Sequence, residues 1–115
     1  MISKHTKAGY LPDITVNVTQ NGFPVDLSAY DGAQFFMRKK DDPDTVIVDH
    51  RPAEIIQVND DDGKPVTSQL KYTLESGETD TPGQYEFCFA LLIGERRAAK
   101  VPGEKNIYLD YEIIE

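Results

Sequence analysis

The chain has 115 residues, of which 39% are hydrophobic and 28% charged, and a formal net charge of −8; that is enough for one folded domain and too little for two. Its longest unbroken apolar run, Phe87–Ile93, is far short of the roughly 20 residues a membrane helix needs, and no apolar core of a signal peptide follows Met1 and Ile2. Twelve Lys and Arg against twenty Asp and Glu argue against nucleic acid, whose binding depends on cations that neutralise phosphates.

Met1–Tyr10 has no hydrophobic period and is expected to form an N-terminal arm ahead of a domain spanning residues 11–115. Lys4, Lys7 and Tyr10 are its candidate contacts, the two lysines toward acidic surface on a neighbouring chain. After the arm, apolar residues recur every second position, the period of a half-buried strand. Ile14, Val16 and Val18 come first, then the turn pair Asn21-Gly22. Gly22 permits a turn, Pro24 stops a ladder, Asp26 caps the backbone, and Val25 and Leu27 plug one end of the interior.

Ala33, Phe35 and Met37 make the next inward row, opposed by Gln34, Phe36 and Arg38. Val46 and Val48 begin another run, which Pro52 interrupts before Glu54, Ile56 and Val58 resume it. Leu70, Tyr72 and Leu74 follow, then Tyr85, Phe87, Phe89 and Leu91, the most apolar row in the chain. Ile107, Leu109, Tyr111 and Ile113 close the sequence. Helix signals are confined to single turns at Leu27–Tyr30 and Leu74–Gly77. About seven strands separated by Gly, Pro, Asn and Asp turns predict an all-β chain, an immunoglobulin-like antiparallel β-sandwich.

Asp80-Thr81-Pro82-Gly83-Gln84-Tyr85 fits the corner that leads into strand F of such sandwiches, where a Tyr hydroxyl bonds back to the chain just upstream. Asp80, Gly83 and Tyr85 are its expected members. The cysteine that antibody-type domains place two residues after the Tyr is here Phe87. An aromatic is therefore expected to fill the space of a disulfide.

Positive signs of chemistry are lacking. His5 and His50 lie in no nucleophile or triad pattern. Cys88, the only cysteine, alternates out of phase with Phe87 and Phe89 and reads as a small packing residue; alone it forms no intramolecular disulfide. One Cys and two distant His cannot complete a zinc site. Asn59-Asp60-Asp61-Asp62-Gly63 concentrates oxygen ligands without the alternating spacing of a calcium loop, so a solvated hairpin is expected. No enzyme, metal or cofactor is expected.

What stands out instead is apolar surface on faces expected to be polar. Phe36, Tyr108 and Ile114 sit on the outward side of their strands and are the candidate interface residues, since aromatic anchors are often energetic at contacts.

Taken together, Leu11-Pro12-Asp13-Ile14-Thr15-Val16, Asn21-Gly22-Phe23-Pro24-Val25-Asp26-Leu27-Ser28, Ala33-Gln34-Phe35-Phe36-Met37-Arg38 and Asp80-Thr81-Pro82-Gly83-Gln84-Tyr85-Glu86-Phe87 occur in an order that resembles the N-terminal immunoglobulin-like domain of phage baseplate upper proteins. The resemblance covers about Ala8 to Glu115. It implies a virion structural module assembled in the host cytoplasm: a tail or baseplate adaptor that contacts other virion proteins, without catalysis, in a homo- or hetero-oligomeric particle. A capsid cement or fibre-attachment protein is the neighbouring expectation. A carbohydrate-binding module is the alternative from another class, although Trp is absent and most aromatics fall on inward rows.

Overall fold

A computed structural model describes residues 4–103 and 108–114. The described chain is all-β and contains no helix. Ten strands follow in order: β1 (Lys4–Lys7), β2 (Asp13–Asn17), β3 (Thr19–Gln20), β4 (Phe23–Pro24), β5 (Gly32–Lys39), β6 (Val46–Asn59), β7 (Pro65–Thr73), β8 (Gly83–Ile93), β9 (Arg96–Val101) and β10 (Leu109–Ile114). Leu27–Tyr30 is one turn closed by the Tyr30 amide on the Leu27 carbonyl, and Glu78 closes another on Glu75.

Eight of these strands form one mixed sheet in the order β1-β10-β8-β5-β6-β7-β2, with β9 paired to β8 beside β10, while β3 and β4 make a separate ribbon. Every pairing is antiparallel except β1 with β10, which is parallel. The sheet is therefore mixed, not antiparallel throughout as the alternation suggested. Main-chain geometry accounts for this: β1 enters along β10 in the same direction, and a parallel neighbour cannot come from a tight hairpin.

The sheet curls because β6 serves two neighbours. Its first part pairs with β5 and its second, from Glu54, with β7. Phe35 on β5 and Tyr72 on β7 then meet across the interior with ring centroids 4.4 Å apart and planes 4° from parallel. Phe35 also touches Phe87 and Phe89, at 5.5 and 5.1 Å. Ile14, Leu27, Met37, Leu70, Leu74 and Ile113 fill in around this aromatic centre. The rows read by period two on β2, β5, β7, β8 and the end of β10 are the buried rows.

On β6 the phase changes. Phe35 pairs with Arg51 but Met37 pairs with Val48, so two residues of β6 face Phe36 alone. His50 there has φ of 52°. This bulge inserts one residue and reverses the faces downstream. Val48 is buried, but beyond the bulge Ala53 and Ile55 pack on the core while Val58 is exposed. The row Glu54, Ile56 and Val58 is consequently not the inward one. Gln57, on the inward side, accepts a hydrogen bond from the Leu27 amide at 2.9 Å and so holds the plugging segment in place.

The turn at Asn21-Gly22 has φ of 53° and 82°, the pair of positive values a two-residue β-hairpin requires. Asp26 accepts from the Ser28 amide at 2.9 Å, and Leu27 is fully buried. Tyr85 donates to the Thr81 carbonyl at 2.6 Å, four residues upstream, which closes the corner. Phe87 is buried next to it.

The described part of the expected arm is not a free extension. Lys4–Lys7 pairs in register with Tyr111–Ile114, Thr6 is buried, and the Ala8 amide donates to the Ile114 carbonyl at 2.7 Å. Gly9 and Tyr10 are tied to Thr79 through the Gly9 amide and the Thr79 hydroxyl. A vacant β10 edge offers main-chain partners that a periodless sequence can use, because ladder bonds need no particular side chains.

Candidate interaction surface

The outward face of β5, β8 and β9 carries an apolar groove of about 300 Å³. Alternation along β5 turns Phe36 outward, and its cross-strand partner on β8 is Cys88. The β6 bulge brings His50 to the same side, its ring 5.0 Å from that of Phe36. Tyr108 stands on the other side of Phe36, ring centroids 6.3 Å apart. Ala90 and Ala98 form the small-residue floor.

Cations border these rings. The Arg38 guanidinium lies 4.3 Å and the Lys100 ammonium 4.7 Å from the centre of the Tyr108 ring, within the range of cation–π attraction. Arg38 also makes a cross-strand ion pair with Glu86 at 2.8 Å. Lys40 pairs with Asp110 at the same distance, and this hydrogen bond and charge hold its ammonium above the usual lysine range. Arg97 is exposed and donates to Gln34 at 3.0 Å. The groove is thus aromatic in the middle and positive at its margins in a chain of net negative charge.

Cys88 is 7% exposed. Burial pushes its thiol up, against the weaker opposing pull of Lys100 and Arg38. A protonated thiol is a poor nucleophile, so at this position it contributes volume. Among the described residues, no group of three or more His, Cys, Asp or Glu is placed to hold a metal ion. Asp60 accepts from the Asp62 and Lys64 amides at 3.0 and 2.9 Å, which makes that acidic stretch a self-bonded hairpin turn.

The candidate residues separate into two groups. Phe36 and Tyr108 come together in the groove. Lys7 and Ile114 are register partners at the β1–β10 edge, Ile114 being 36% exposed. Lys4 faces Tyr111 in the register, while its side chain lies outside the described residues. Tyr10 is 63% exposed beyond the end of β1. The period-two reading missed His50, which only the bulge moves outward, and missed β9 with Arg97 and Lys100. Arg96-Arg97-Ala98-Ala99-Lys100-Val101 shows no alternation, and a hairpin with β8, turning at Ile93-Gly94, was its one available signal.

A second opening lies along β9. Pairing with β8 fills one side of β9; on its other side no strand is present among the described residues, since β1 covers only Tyr111–Ile114 of β10. There a cleft of about 430 Å³ reaches inward to Val16, Val18, Leu27, Leu91 and Leu109. No family model, curated protein or solved structure matches the chain.

Proposed function

We propose that the protein is a non-enzymatic interaction module of immunoglobulin-like sandwich architecture, working through protein–protein contacts in an assembled particle. The observation that carries this reading is the outward groove, where Phe36 and Tyr108 stand 6.3 Å apart on a sheet face that water alone would favour as polar. The architecture is supported by the strand order, with β9 and β10 on one side of β8, β5 on the other, and β6 crossing to join β7 and β2. It is supported again by the Tyr85 corner.

The particle suggested by the ordered sequence resemblance is a phage virion, with the module as a tail or baseplate adaptor. Antibody against the chain should label purified virions from a producing culture. Phe36→Ala combined with Tyr108→Ala should leave a folded monomer that no longer enters them. A chain found only outside particles overturns the virion reading. Selective binding of the monomer to a glycan array, lost in the same double variant, would assign the groove to carbohydrate instead.

A further inference from the structure

We infer that the outer edge of β9, with the cleft beneath it, accepts an extended acidic segment of a different protein as an added strand. This rests on the reading of the chain as a protein-contact module and names the chemistry of one partner. An edge strand exposes main-chain groups that another chain can pair with. β1 closes only the β10 portion of this edge, and among the described residues β9 continues unpaired on that side for six residues, about 20 Å of strand.

The cleft exists because Ala99 reaches inward with a single methyl where a core strand would have a larger side chain. Ala99 and Val101 pack on the core from β9, and the space beside them is lined by Val16, Leu27 and Leu91. A strand laid along β9 points alternate side chains into that space. Apolar residues belong there. The intervening side chains lie on the other face, next to Arg97 and Lys100, which border the groove.

Charge selects the occupant. Two copies of β9 paired edge to edge would set Arg96, Arg97 and Lys100 of one against the same cations of the other, and like charges directly opposite destabilise a ladder. The cations that disfavour self-pairing favour a strand carrying Asp or Glu at alternate positions. β9 therefore discriminates against its own copy and in favour of an acidic partner.

The test uses the whole chain and a capped nonapeptide of alternating Val and Glu. Titration followed by amide NMR should move Ala98–Val101 and Leu91, and binding should weaken with salt. A peptide with Lys in place of Glu should bind roughly tenfold more weakly or worse. So should one with Pro at its central Val, which removes a ladder donor. Arg97→Glu with Lys100→Glu should reverse the Glu/Lys preference, with circular dichroism and melting temperature confirming the fold.

Equal binding of the Glu, Lys and Pro peptides, shifts confined to other strands, or no binding by about 1 mM overturns the proposal. Dimerisation of the chain abolished by the same double variant also overturns it, because a second copy would then be the occupant. Particle labelling separates the two readings. Labelled particles without peptide binding remove only strand addition, and peptide binding without labelled particles removes only the virion role.

Discussion

Phe35 and Phe36 are chain neighbours with opposite lives. Phe35 is fully buried and meets three aromatic rings, those of Tyr72, Phe87 and Phe89. Phe36 is half-buried against His50 and Tyr108, in a groove bordered by Arg38, Arg97 and Lys100. The inner face joins rings to rings and holds β5, β7 and β8 together across the curl of the sheet. On the outer face rings alternate with cations, which keep it hydrated until something covers it. One residue of strand phase therefore separates a fold determinant from a contact determinant.

Truncation should separate the two faces most sharply. Phe35→Ala leaves a cavity at the centre of the aromatic cluster and is expected to cost about 3–5 kcal/mol, a large part of the stability of a small domain. Phe36→Ala is expected to cost less than about 1.5 kcal/mol, since part of the ring already meets water. Urea denaturation of both variants checks this. Equal losses would mean that the outward groove is part of the core.

Tyr85→Phe comes next. It keeps the buried ring and removes the bond to the Thr81 carbonyl, so about 1–2 kcal/mol should be lost. The same measurement detects it, and no change would demote the corner to a crossing of strands. His50→Val should follow at about 1 kcal/mol, because a β-branched residue resists the positive φ that His50 adopts. His50→Gly should be tolerated in stability while removing the ring beside Phe36. If valine is accepted without loss, the bulge does not depend on left-handed backbone at this position.

Which parts were legible follows from the same contrast. Inward rows such as Phe35 and Met37 or Phe87 and Phe89 repeat every two residues, and that period states their face directly. The Tyr85 corner is equally local, since donor and acceptor are four residues apart. The bulge at Asp49-His50 carries no composition signal: its position depends on pairing with β5, thirteen or more residues upstream. The β1 ladder is made of main-chain bonds to the opposite end of the sequence, so side-chain pattern is silent about it. The groove combines these cases. Phe36 and Tyr108 were visible as misplaced aromatics, whereas His50 depends on the bulge, and Arg97 and Lys100 on the β8–β9 pairing.

The smallest effect at neutral pH, and the one most dependent on pH, belongs to Tyr72. Its ring lies on Phe35 while its hydroxyl donates to the Glu78 carboxylate at 2.9 Å. Burial first, then the bond and charge of Glu78, push the phenol well above its ordinary value of 10. Burial raises the phenols of Tyr85 and Tyr111 as well. A raised folded-state pKa means that the folded chain holds the proton more tightly than the unfolded chain. The resulting stability is complete below pH 10 and is lost as pH climbs through the folded values. Melting temperature should accordingly be flat with respect to these groups up to about pH 9 and fall beyond about pH 10, with phenolate absorbance rising as the fold is lost. Tyr72→Phe should cost about 1 kcal/mol or less at pH 7 and make the alkaline fall shallower. An unchanged alkaline slope in that variant would place Tyr72's hydroxyl in water, and the stacked pair with Phe35 would then lie at the rim of the interior instead of across it.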